Sequence, residues 1–231
     1  MIKLTESFLV VNNSSEQEST TTLALSACSP NTQVYYQNTT LGLSLGICRN
    51  SDCASTVFSG DEFISVISGK MNIKHPHTGK LFTIAAGDSI VIPKGYQCYG
   101  NDCWQAFYLS YAPPVKKSLK PPINESPVFI NDNNAISWQK TSDGYSKKLL
   151  YQSVNNKFTS GIWQGSNFKT NMIAFPYNEL MILKHGTLMC TDENRIEHKI
   201  SVGQTLFIPQ GTRCAWQAQG EVSLYFVQIK P

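Results

Sequence analysis

The sequence predicts an all-β protein built from two tandem antiparallel barrels. Three observations carry that expectation. Glu62, Gly69, Gly87, Pro93, Gly95 and Cys98 recur in nearly the same spacing as Glu179, Gly186, Gly203, Pro209, Gly211 and Cys214, at an offset of about 116 residues. A repeat of that length is a whole domain. No window holds an amphipathic helical period of useful length, and short alternating or β-branched runs follow one another every ~8–12 residues, as in sandwiches and barrels. Between the copies, the segment APPVKKSLKPPINESP (112–127) has five prolines and breaks the pattern.

Taken in order, Phe8 to Val11 reads as a first strand, followed by a polar Ser/Thr/Asn/Glu connection to Thr22. The runs LALSA, LGLSLGI, STVF, EFISVI, MNIK, LFTIA, SIVI and QAFYLSY then read as the strands of an N-terminal barrel, residues 1–112. Residues 113–126 form the Pro-rich linker, and residues 127–231 replay the first half. Tyr36-Gln37 and Gly46-Ile47 return as Tyr151-Gln152 and Gly161-Ile162, so the repeat covers most of each half. The glycine that follows each Glu strand is expected to permit a tight hairpin at positive φ. Gly-x5-Pro-x-Gly encodes a short strand, SIVI or TLFI, stopped by a proline that cannot donate to a ladder.

Composition bounds the function. With 231 residues, 41% hydrophobic, the chain can bury two cores of domain size. Its formal net charge is +3, and Lys116, Lys117 and Lys120 in the linker equal that excess, so no basic face for nucleic acid is visible. The apolar run at Phe8 to Val11 is too short for a signal peptide or a membrane span. Seven cysteines without an export signal fit a reducing compartment. The expectation is a cytoplasmic protein, monomer or homodimer, whose partner is a small molecule and not a nucleic acid or a membrane.

The doubled E-x6-G and G-x5-P-x-G-x2-C spacings resemble the cupin superfamily, small jelly-roll barrels whose tandem form is a bicupin. The phrase PQGTRCAW (209–216), with GIWQ (161–164) and NEL (178–180), resembles the ureidoglycine aminohydrolase type of cupin domain. The superfamily resemblance implies a divalent metal held by two histidines upstream of the glutamate, the glutamate, and a second-motif histidine. Here the upstream positions hold Ser55, Thr56, Val57 and Phe58 in one copy and Met172, Ile173, Ala174 and Phe175 in the other, and Cys98 and Cys214 replace the last histidine. One carboxylate and one thiol fall short of the three or four protein ligands of stable sites, so no metal cofactor is expected.

The resemblance implies that Glu179 and Cys214 face inward, and strand alternation extends that face to define the candidate site. Glu179 and Cys214 are the candidate catalytic pair, Glu179 as general acid or base in an apolar pocket that would raise its pKa. Trp163, Trp216, Met172 and Met181 are the candidate ligand-binding residues, and Glu62 with Cys98 is the degenerate equivalent in the first barrel. The first barrel has Cys48 and Gly100 where the second has Trp163 and Trp216, so the pocket is expected in the second. His75-Pro76-His77 has a ligand-like form but lies in a hairpin connection and reads as an exposed turn. Two functions remain in view: a metal-free small-molecule-binding bicupin, and an enzyme acting on a small polar, ureido- or amino-containing metabolite.

Overall fold

The computed structural model describes residues 3–4, 9–12, 31–50, 57–99, 103–114, 126–131, 136–140 and 145–231. All regular structure among them is β, and no helix there is long and apolar enough to cross a membrane. The strands are β1 (Lys3–Leu4), β2 (Leu9–Asn12), β3 (Asn31–Asn38), β4 (Leu43–Asn50), β5 (Asp61–Lys74), β6 (Leu81–Ala85) and β7 (Ser89–Ile92). They continue as β8 (Gln97–Cys98), β9 (Trp104–Tyr111), β10 (Val128–Phe129), β11 (Gln139–Lys140), β12 (Tyr145–Gln152), β13 (Phe158–Lys169) and β14 (Ile173–Ala174). The last are β15 (Asn178–His185), β16 (Thr187–Asp192), β17 (Glu197–Ser201), β18 (Gln204–Ile208) and β19 (Arg213–Ile229).

Every pairing is antiparallel, and the strands form two networks of the same plan. The first runs β10-β7-β5-β9-β4-β3, with β6 and β8 attached to β5. The second runs β1-β2-β18-β15-β19-β13-β12-β11, with β14 and β16 attached to β19 and β17 to β16. Each network encloses its own apolar interior. Phe58, Ile64, Met71, Tyr96, Trp104 and Tyr108 fill the first, and Phe175, Leu183, Leu206, Trp216, Leu224 and Phe226 lie in the second.

The compact units differ from the sequence boundaries of 1–112 and 127–231. One unit is Gln17–Ile130; the other joins Met1–Glu16 to Asn131–Pro231. The cause is edge pairing. Leu9 to Asn12 lie along Phe207 to Gln204 of β18, and Val128 and Phe129 lie along Val91 and Ile90 of β7. In each unit, the segment preceding one barrel in sequence covers the free edge of the other barrel's short Gly-x5-Pro strand.

The Glu-strand glycines make corners and not hairpins. β5 runs unbroken through Gly69 (φ 76°), pairing with β9 before it and with β6 after it. Around Gly186 (φ 82°), β15 and β16 both continue along β19. Of the runs read as strands, STVF leaves only an isolated bridge from Val57 to Gln97 among the described residues, and LALSA lies outside them. The paired motif Tyr-Gln…Gly-Ile has a local cause. A bulge interrupts β3 between Val34 and Tyr36 and β12 between Leu149 and Tyr151. Opposite each, a backbone carbonyl presses on the glycine: a Cβ on Gly46 would sit 2.1 Å from Gln33 O, and one on Gly161 would sit 2.0 Å from Lys148 O.

Candidate binding site in the C-terminal barrel

β15 lies between β18 and β19, and its period-two alternation turns Glu179, Met181 and Leu183 to the barrel interior. Glu179 lies directly across from Gln228, whose Nε2 donates to Glu179 Oε1 at 3.1 Å. Both side chains are buried. Above them opens a cavity of about 540 Å³.

Its walls are aromatic. Tyr145, Trp163 and Phe168 line one part, with Trp163 5.1 Å from Tyr145 and 5.2 Å from Phe168 between ring centroids. Phe175 and Trp216 line another, edge to face at 5.8 Å. Thr170 bridges the strands there, its Oγ1 accepting from Trp216 N at 2.9 Å. Three charged side chains reach the cavity: Lys147, Lys169 and Glu179. Lys147 is placed by its register opposite Trp163 in the β12–β13 pair. Its ammonium lies 5.2 Å from the Phe226 ring and 6.0 Å from that of Tyr145.

Burial in this apolar chamber raises the pKa of Glu179, opposed by the positive charge of Lys147 and by the Gln228 hydrogen bond. The protonated form is therefore favoured relative to a carboxyl in water. Paired with a carboxamide, such a group can donate or accept a proton at the cavity surface.

The structure gathers four of the expected residues around one space: Glu179, Trp163, Trp216 and Met181. Cys214 is not among the lining residues. It is fully buried behind them, across from Asp192 and Ile173, and its contact with the Cys190 thiol, together with burial, pushes Cys190 far above the usual thiol range. The expected Glu179–Cys214 pair is thus replaced by Glu179–Gln228. Met172 is half-buried and also stands off the cavity, because its neighbours Asn171 and Ile173 point in.

In the first barrel, Glu62 is buried and accepts from Ser110 Oγ at 3.1 Å. Cys98 is buried as well. Cys48 holds the position of Trp163, its thiol 3.6 Å from Ala106 O, and Thr32 pairs with it where Lys147 pairs with Trp163. Tyr108, matching Phe226, fills the interior and shares a 3.1 Å hydrogen bond with Ser44. Ser55, Thr56 and Gly100 lie outside the described residues. His75 closes its turn as expected, Nδ1 accepting from His77 N and Thr78 N.

The donor set of the cavity does not fit a divalent metal. Glu179 is its one carboxylate, no histidine or thiol lines it, and among the described residues no three or more His, Cys, Asp or Glu are grouped to hold an ion.

A family profile described as the EutQ-like cupin domain matches residues 44–101. A protein of unknown function from Pseudomonas syringae pv. tomato, of the DUF861 family, superposes with a TM-score of 0.67 at 16% identity, covering 84% of this chain and 85% of its own. The chain has a cupin fold. Two further solved structures are similar. A cupin 2 conserved barrel domain protein from Leptotrichia buccalis gives a TM-score of 0.60 at 12% identity, covering 86% and 88% of the two chains. Protein Ylba from E. coli gives 0.57 at 12%, covering 96% and 90%. No curated protein matches the chain by sequence.

Sequence reading missed Lys147, Gln228, Tyr145, Phe168 and Tyr177 in this cupin cavity. Alternation would have found Gln228, since Leu224, Phe226 and Gln228 share one face of β19. Lys147 was hidden because a lysine at an inward position reads as surface until its partner strand is known.

Proposed function

We propose that the C-terminal barrel is a small-molecule-binding site, and that the first barrel is its closed, degenerate counterpart. The observation that carries this is the cavity itself: aromatic walls around one buried carboxyl–carboxamide pair, with the ammonium groups of Lys147 and Lys169 to fix orientation. In the first barrel Cys48, Thr32 and Tyr108 stand where Trp163, Lys147 and Phe226 stand in the second.

An enzymatic reading is favoured by one feature, the raised pKa of Glu179, a shift of the kind that prepares a carboxyl for proton transfer. In that reading Glu179 is the acid or base acting on a small polar metabolite, ureido- or amino-containing in keeping with the PQGTRCAW phrase. The setting assumed is a cytoplasmic monomer or homodimer.

Thermal-shift screening with a metabolite library, followed by tryptophan fluorescence titration, tests both. Trp216→Ala should weaken the binding of any hit by about 1 kcal/mol or more, the scale of a lost aromatic contact, while Glu62→Gln changes nothing. If Glu179→Gln abolishes turnover of a hit but keeps its binding, the protein is an enzyme. Greater sensitivity to Glu62→Gln than to Trp216→Ala would overturn the assignment to the second barrel.

A further inference from the structure

We propose that the cavity selects a small planar anion, an aromatic carboxylate whose charged end is held by the ammonium of Lys147 and whose ring lies on the aromatic walls. This rests on the binding reading above.

The charges decide it. Two ammonium groups, Lys147 and Lys169, face a single carboxyl, Glu179. Lys169 is exposed at the rim, whereas Lys147 is half-buried and sits beside rings. Among the described residues the one ion pair within 4.0 Å joins His198 to Asp192, so no described carboxylate reaches the Lys147 ammonium. Ring faces replace only part of the hydration an ammonium loses, and three N–H donors call for an acceptor. Glu179 does not supply it, and Glu179 Oε1 already accepts from Gln228.

A ligand carboxylate meets both needs. It gives Lys147 a charge-assisted hydrogen bond in a chamber where such bonds are strong, and it can accept a hydrogen bond from the Glu179 carboxyl when that group is protonated. A cation would face two ammonium groups and a carboxyl whose ionisation burial opposes. A neutral ligand would leave the ammonium unmatched. A small inorganic anion would leave the faces of Trp163, Phe168 and Trp216 wet. The first barrel, with Thr32 at the Lys147 position, has no equivalent charge.

The test uses three probes of matched shape on the full chain: 2-naphthoate, 2-naphthamide and 2-naphthylmethylammonium, followed by calorimetry and tryptophan fluorescence. The naphthoate should bind about tenfold or more tighter than the amide, the scale of one charge-assisted hydrogen bond, and the ammonium weakest. Lys147→Gln should erase the preference for naphthoate over amide while leaving amide affinity in place, and Lys147→Arg should restore it. If the amide or the ammonium binds best, or if Lys147→Gln keeps the naphthoate preference, the anion inference falls while binding by the barrel stands, provided Trp216→Ala weakens all three. If no probe binds, both fall.

Discussion

Glu179 is the one carboxyl that lines the cavity of the C-terminal barrel. Its ionised form is opposed by burial more strongly than Lys147 and Gln228 support it, so the folded chain holds the proton more tightly than the unfolded chain. The sign of the linkage follows. The stability Glu179 contributes is fully present below its ordinary value of 4.5 and is lost as pH rises through its raised folded-state value. Glu179→Gln, which keeps the shape without the charge, should therefore melt above the native protein at neutral pH. The gap should close as pH falls toward 4.5. Melting curves of both proteins from acid to neutral pH check this, and a gap that widens in acid would refute it. Much of this residue's placement was legible in the sequence: the cupin resemblance turned Glu179 inward, and alternation carried the same face to Met181 and Leu183. Its partner was not, because Cys214 and Gln228 lie at opposite ends of one long strand, β19, and only the register tells which of them faces Glu179.

At the scale of elements, the bulges in β3 and β12 explain motifs that the sequence shows without giving their cause. Gly161 lies where the bulge drives the carbonyl of Lys148 into the space of a side chain. Its backbone is ordinary for a strand, so the demand is for room and not for a left-handed conformation. Gly161→Ala should destabilise the protein by about 1–3 kcal/mol, the range of overpacking, measurable by urea denaturation. It should also blunt ligand binding, since the residue before Lys148 is Lys147. Stability equal to the native protein would show that the bulge can relax. The strands themselves were largely readable: LFTIA and SIVI coincide with β6 and β7, and EFISVI and MNIK are two parts of β5. What period-two reasoning could not see is that Gly69 bends one strand between two partners, because a corner and a hairpin make the same local request for positive φ.

For the whole molecule, the assignment of strands to units is the feature least visible in the linear sequence. ESFLVVNN (6–13) and ESPVFIND (125–132) are variants of one segment, and the repeat extends to their partners: Leu9 faces Phe207 as Val128 faces Val91. The resemblance was readable, but its meaning was not, since a strand's edge partner is a long-range choice that local pattern does not encode. Deleting residues 1–16 should bare the edge of β18 along Leu206 and Phe207, inviting pairing with another chain. Size-exclusion chromatography should show self-association of the truncated protein, and a stable monomer would count against it. The same connectivity sets an order of events in time. Leu9 meets Phe207 across almost two hundred residues of intervening chain, a loop whose closure is slow. On the ribosome Leu9 to Asn12 are made long before the strand they dock on. They wait as an unclaimed strand until the C-terminal barrel is made, so the nascent chain passes through a state whose N-terminal strand is available to chaperones and to neighbouring chains alike.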